Sequence, residues 1–289
     1  MRLSPQLFRR FKMPDAALTS VSAKHSPERI AELHDNLTDV RSRVQRIVAD
    51  PSAPTSAQIT LVAVSKYKPA SDVLACYEAG QKDFGENYVQ ELVEKAEQLP
   101  VDIRWHFIGA LQSNKAKILA SIPNLYTIQT LTSTKAATAL NKNLPTERSS
   151  PLNILLQVNT SGEDNKSGLT PLTPTTDLGS SELVQLARHI ITDCPRLHLQ
   201  GLMTIGSLRE SLSADEKPNQ DFLNLIKTRD LLQEALVKEG FSGKYGENDK
   251  LLVSMGMSSD FEAALKVGSD IVRVGTGIFG SRPKKGEVV

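Results

Sequence analysis

From Ser26 the apolar positions recur every three or four residues: Ile30, Leu33, Leu37, Val40, Val44, Ile47 and Val48. That spacing puts them on one face of a helix. Ser26, Pro27 and Glu28 supply a cap, a proline at the first helical position and an early acid, which together mark its start. The period then changes. Short, nearly continuous apolar runs at 59–66, 83–87, 104–109, 125–129, 152–159, 197–205, 251–256 and 271–276 alternate with helix-period stretches near 71–80, 89–99, 115–121, 133–144, 182–194, 219–239 and 258–267. A continuous apolar run suits a parallel strand covered on both faces. The alternation predicts a parallel sheet with right-handed crossovers. Eight repeats with no second type of segment predict a closed (β/α)8 barrel carrying an extra N-terminal helix. A doubly wound open sheet fits less well, because the count reaches eight.

The 289 residues fit one such barrel, which typically takes about 250. The expected organisation is an N-terminal extension, 1–25, that is disordered, followed by a single barrel over 26–289. Two polar stretches, "SGLTPLTPTTDLGSS" and "FSGKYGENDK", read as loop insertions, since the strand–helix alternation resumes after each. Charge changes the picture little. Lys+Arg number 34 and Asp+Glu 33, a formal net of +1, with both signs mixed along the chain. Without a basic stripe and interleaved aromatics, nucleic acid is not an expected partner. No apolar run reaches membrane-spanning length. Cys76 and Cys194 lie far apart with no CxxC, which argues against a disulfide framework or a cysteine metal site and suits a reducing compartment. The start "MRLSPQLFRRFKM" carries Arg2, Arg9, Arg10 and Lys12 before any acid. It is compatible with a mitochondrial transit peptide, although a disordered tail on a cytoplasmic protein is the favoured reading.

In a barrel of this type the active site sits at the carboxyl ends of the strands. "ITLVAVSKYKP" ends its apolar run at Ser65 and Lys66. Such a lysine is either solvated or a nucleophilic amine that forms a Schiff base. "FGENY" brings Glu86 and Asn87, "WHFIGALQSNK" brings His106, "QVNTSGEDNKSG" brings Asn159 and Ser161, and "GLMTIG" brings Met203. In "SMGMSSDFEAA", Ser254, Met257 and Ser258 lead into a helix that Ser258 is expected to cap, leaving N–H groups for an anion. In "VRVGTGIFG", Gly275 and Thr276 allow a close backbone approach and add a hydroxyl. Paired anion loops facing a lysine suggest pyridoxal 5′-phosphate. Arg273, a charge inside an apolar strand, needs a partner. A cofactor ring nitrogen and a salt bridge to Glu86 are both open. His106 reads as a core histidine held by a backbone bond.

These motifs, in order from about Ser26 to Gly280, closely resemble the pyridoxal phosphate homeostasis proteins of the YggS/PROSC type. "WHFIGALQSNKAKIL" is close to a signature of that family. The resemblance implies that Lys66 carries the cofactor as an aldimine, and that Ser258, Gly275 and Thr276 surround its phosphate. It further implies that Arg273 faces the pyridine nitrogen and that Asn87 and Met203 line the ring pocket. The family is similar in turn to the barrel domain of alanine racemases, whose second, β-rich domain supplies a catalytic tyrosine.

Three functions compete. The first is a monomeric protein that holds pyridoxal phosphate, serves vitamin B6 homeostasis and passes the cofactor to apo-enzymes. The second is a pyridoxal phosphate-dependent racemase. It needs an acid–base group on each face of the intermediate, and no tyrosine or histidine is evident for the face opposite Lys66. The third is a cofactor-free class I aldolase, which leaves the paired anion loops without a purpose beyond a phosphorylated substrate. The first reading is expected, with no substantial enzymatic activity.

Overall fold

A computed structural model of the chain describes residues 26–51, 54, 59–163, 166–207, 210 and 219–281. The expected extension over 1–25, and residues 282–289, lie outside them. The chain opens with α1 (Pro27–Val48). It then runs β1 (Thr60–Val64), α2 (Ala70–Glu78), β2 (Asp83–Glu86), α3 (Val89–Gln98), β3 (Arg104–Phe107), α4 (Ala116–Ala120), β4 (Leu125–Leu131), α5 (Thr134–Asn143) and β5 (Leu152–Gln157). It continues with α6 (Glu182–Asp193), β6 (Leu197–Met203), α7 (Gln220–Lys238), β7 (Leu252–Ser254), α8 (Phe261–Lys266), β8 (Ile271–Val274) and α9 (Thr276–Phe279). The eight strands among the described residues form a closed parallel barrel in chain order. β1 closes it on β8 in the register Ala63↔Val274.

Side chains alternate across the barrel wall, as strand geometry requires. Val62, Leu155, Met203 and Ile271 form an inner apolar cluster. Ala63, Phe84, Trp105, Ile128, Leu156 and Val272 belong to the outer layer beneath the helices. The extra helix α1 begins as its sequence indicates, with Ser26 Oγ accepting from the Arg29 N–H at 3.3 Å. It buries Leu33, Leu37, Val40 and Val44, each contributing about 1.5–3 kcal/mol. Arg29 ties it to Asp72 Oδ2 at 2.6 Å and to the Phe279 carbonyl at 3.0 Å. α1 therefore braces α9, the short helix that follows the last strand.

Several strands stop earlier than the apolar runs suggest. β1 ends at Val64 because the chain turns at once: the Lys68 N–H bonds back to the Ser65 carbonyl at 3.0 Å. α9 is not foreseen in the sequence reading, where "VGTGIFG" is a glycine-rich loop; burial of Ile278 and Phe279 draws it into a helical turn. Both polar insertions dock on the barrel. Leu169 is buried and its N–H reaches the Gln157 carbonyl at 2.8 Å, while the Gly246 N–H reaches the Leu199 carbonyl at 2.8 Å.

Candidate functional site

The end of β1 rests on a buried ionic cluster. Ser65 donates its hydroxyl to Glu86 Oε1 at 2.7 Å. Lys95, reaching in from α3, donates to the same oxygen at 2.5 Å, to the Ser65 carbonyl at 2.7 Å and to Glu91 Oε1 at 2.7 Å. Burial, reinforced by the neighbouring Glu91 carboxylate, pushes Glu86 up to about 7 against the pull of Lys95 and Ser65. Lys66 comes next and is half-buried. Tyr67 then adopts φ +62°, a left-handed conformation that costs a bulky residue energy. Its N–H donates to Glu91 Oε1 at 2.7 Å, which holds the strained turn to the same cluster. The Tyr67 ring packs against Tyr88 with centroids 5.0 Å apart, and their hydroxyls bond to each other. The sequence reading places no tyrosine at the barrel mouth; the fold brings these two to the loops that carry Lys66 and Asn87.

Asn87 follows β2. Its Oδ1 is buried and has no partner among the described residues, an arrangement that awaits a donor. The chain packs so closely here that a Cβ on Gly109 would lie 1.8 Å from the Asn87 carbonyl oxygen. Across the barrel, register pairs Met203 with Ser254 and Ser254 with Ile271. Met203 is fully buried within the inner cluster. Arg273, 4% exposed, donates through Nη1 to Ser254 Oγ at 2.6 Å and through Nη2 to the Thr204 carbonyl at 2.8 Å. Burial lowers its pKa to about 10, with Asp260 opposing, so the guanidinium stays charged at neutral pH. The salt bridge to Glu86 is thereby corrected: Glu86 pairs with Lys95 on the β1–β2 side of the barrel.

The anion loops also differ in detail from expectation. Ser258 does not cap the helix after it. Asp260 is the residue before α8, and its Oδ1 accepts from the Met257 N–H at 2.6 Å. Ser258 Oγ instead accepts from the Gly275 N–H at 3.1 Å and the Gly277 N–H at 3.4 Å. This joins the two loops after β7 and β8 and leaves Thr276 between the bonded amides. Gly256 makes the turn possible: it sits at φ +90°, and a Cβ there would lie 2.5 Å from the Ala264 Cβ. A Cβ on Gly275 would lie 3.3 Å from the Val64 carbonyl oxygen, so this loop adjoins the end of β1.

His106 is a core histidine, but among the described residues side chains rather than a backbone group hold its ring. Nε2 lies 3.0 Å from Asp83 Oδ1 and Nδ1 lies 3.1 Å from Gln129 Nε2. Asn159 is used structurally, donating to the Glu163 and Lys166 carbonyls at 3.0 and 3.2 Å. Lys68 is half-buried and donates to the Ser281 carbonyl at 2.9 Å. Lys95, Gln129 and Thr204, which bond Ser65 and Glu86, Ser254, and Arg273 respectively, have no place in the sequence reading. Of these only Lys95 had a local signal, a lysine on the apolar stripe with Leu92 and Leu99.

Residues 36–283 match the family described as alanine racemase, N-terminal domain. A Schizosaccharomyces pombe protein named pyridoxal phosphate homeostasis protein is 42% identical over 254 residues, which cover 88% of this chain and 94% of that one. Its Mus musculus namesake is 44% identical over 256 residues, covering 85% of each chain. Among solved structures, PipY of Synechococcus elongatus with PLP bound superposes with a TM-score of 0.64 at 28% identity, over 86% of this chain and 100% of that one. Alanine racemase from E. faecalis, at 17% identity and a TM-score of 0.58, covers 90% of this chain and 60% of its own, a likeness of fold. On the extent of the domain match and on relatives above 40% identity along nearly its whole length, the chain belongs to the pyridoxal phosphate homeostasis family.

Proposed function

We propose that this protein binds pyridoxal 5′-phosphate at the carboxyl mouth of the barrel, holds it on Lys66 and hands it on in support of vitamin B6 homeostasis, without substantial turnover of amino acids. The observation that carries the reading is Arg273: a buried guanidinium whose two terminal nitrogens bond a hydroxyl and a carbonyl, with no carboxylate in ion-pair range among the described residues. Such a cation suits a neutral acceptor such as a pyridine nitrogen. The orphaned Asn87 Oδ1, the joined loops that carry Ser258 and Thr276 and the buried Met203 fit the rest of that cofactor. The names of the relatives, and the PLP-bound PipY structure, support it.

Pyridoxal phosphate supplies an aldehyde that condenses with a primary amine. The chain's own residues do the rest. Lys66 offers the amine on a turn fixed by Ser65, Glu86 and Lys95. The Ser258 and Thr276 hydroxyls would hold the phosphate as neutral donors beside Gly275, whose own N–H is taken by Ser258 Oγ, and Ser254 and Met257 would complete the wall. Arg273, always protonated, keeps the pyridine nitrogen unprotonated, which weakens the electron sink on which most enzymes of this cofactor rely. A racemase is the second reading, favoured by the tyrosines beside Lys66; their hydroxyls engage each other, and Arg273 argues against it. Apo-enzymes that require the cofactor are the proposed recipients.

Two assays on one preparation test this. The first compares absorption spectra with and without pyridoxal phosphate, followed by borohydride bleaching. The second sets D/L exchange of amino acids against reactivation of a pyridoxal phosphate-requiring apo-enzyme. Exchange at an ordinary enzymatic rate, abolished by Lys66→Ala, would overturn the carrier in favour of the racemase.

A further inference from the structure

The barrel axis holds a continuous hydrogen-bonded chain of polar side chains. Arg273 Nη1 donates to Ser254 Oγ at 2.6 Å. Ser254 Oγ donates to Gln129 Oε1 at 2.7 Å. Gln129 Nε2 donates to His106 Nδ1 at 3.1 Å, and His106 Nε2 donates to Asp83 Oδ1 at 3.0 Å. Asp83 Oδ2 in turn accepts from Arg104 Nη2 at 2.5 Å. Ser254, Gln129, His106, Asp83 and Arg273 are all buried. Asp83 and Arg104 line a cavity of about 670 Å³ at the amino-terminal end of the barrel, so the chain runs from that cavity to Arg273 inside the barrel.

Its polarity is fixed. Arg273 can only donate and the Asp83 carboxylate can only accept. With His106 neutral and protonated on Nε2, every intervening group passes its donor in the same direction. In that tautomer the bare Nδ1 needs a donor, so the Gln129 amide turns Nε2 toward His106 and Oε1 toward Ser254. A reversed amide would set Oε1 against the bare imidazole nitrogen, losing the bond to His106, and would leave the Ser254 hydrogen without its acceptor. Chains of this kind polarise one another in a low dielectric.

We propose that Gln129 is a positioning residue for the cofactor-facing arginine: it holds the Ser254 hydroxyl as an acceptor for Arg273, and is itself aligned by His106 and Asp83. Gln129 acts through Ser254. The inference rests on the placement of the cofactor ring against Arg273 given above. It goes beyond that placement by assigning the orientation of the guanidinium to residues on β2, β3 and β4, which contribute no group to the phosphate loops.

The test is a double-mutant cycle read by pyridoxal phosphate affinity and by the absorption maximum of the bound cofactor. Gln129→Met preserves length and burial but removes both bonds. Its expected effects are up to about tenfold weaker binding, the scale of a lost neutral hydrogen bond, and a shifted absorption maximum. In a Ser254→Ala background the same change should add nothing. A folded Gln129→Met protein with wild-type affinity and spectrum, or a loss fully additive with that of Ser254→Ala, would overturn the inference and leave the binding reading intact. Failure of the wild type to bind pyridoxal phosphate would overturn both. Should Gln129→Met not fold, the 15N shifts of His106 in the wild type decide. A neutral ring protonated on Nε2 supports the directed chain; protonation on Nδ1, alone or with Nε2, at neutral pH refutes it.

Discussion

Lys95 Nζ lies 2.5 Å from Glu86 Oε1, and both groups are buried directly beneath the residue that precedes Lys66. Glu86 is displaced upward from 4.5 to about 7. A carboxyl raised in the folded state binds its proton more tightly there than in the unfolded chain. Its contribution is complete below about 4.5 and is lost as pH rises through about 7. At ~1.4 kcal/mol per unit the swing is at most about 3 kcal/mol. Denaturant titrations of wild type and Glu86→Gln at several pH values between 5 and 8 check this. The stability of the wild type relative to the variant should fall across that window. A constant difference would show that Glu86 is ionised throughout.

Only Lys66 should carry the cofactor. Borohydride fixes the cofactor to its amine, and peptide mapping should find the label there and nowhere else. Lys68 donates to the Ser281 carbonyl, on the outer side of the turn. Label on Lys68 or Lys115 would displace the site. Lys66→Ala should abolish trapping while the phosphate loops retain some cofactor without a covalent bond.

The phosphate should be held by neutral donors. Thr276→Val and Ser258→Ala should each weaken binding by about 1.5–3 kcal/mol. Ser258→Ala should be the more disruptive for the loops themselves, since its oxygen accepts from both Gly275 and Gly277. Titration of cofactor fluorescence measures the first effect and thermal melting the second. Unchanged affinity in both variants would mean that the phosphate lies elsewhere.

Gly256→Ala should destabilise the fold by about 2–4 kcal/mol. The φ of +90° strains any side chain, and the added methyl meets Ala264 and the Phe261 backbone in a core with no slack. A melting temperature equal to the wild type's would show that the turn relaxes at no cost.

Much of this was legible because the barrel repeats. The helical period from Ile30 to Val48 and the eight apolar runs belong to single segments, and each segment advertises its own burial. The candidate mouth residues come from the rule that strand ends carry chemistry, and the motifs around them point to the family that the relatives show. What failed were bonds between segments. Nothing near Ser258 in sequence says that its oxygen turns from the following helix to amides at Gly275 and Gly277. The partners of His106 come from β2 and β4, and those of Arg273 from the ends of β6 and β7. Such pairings depend on which neighbours closure brings across the barrel, and side-chain pattern along one strand does not encode them. Lys95 is the exception, a cation where the apolar stripe of α3 calls for a leucine.

The seam between β1 and β8 sets an order of events during synthesis. Lys66 lies just beyond the first strand, and Gly275 and Thr276 just beyond the last; Ala63 meets Val274 only when the ring closes. More than 200 residues must therefore leave the ribosome between the amine and its anion loop. If the phosphate sits where we propose, no growing chain that lacks the eighth strand has a place for it, however well its earlier repeats have formed. On the proposed site, cofactor capture would report synthesis of the eighth strand and closure together, and a ligand that binds the closed ring would stabilise the seam joining the first strand to the last.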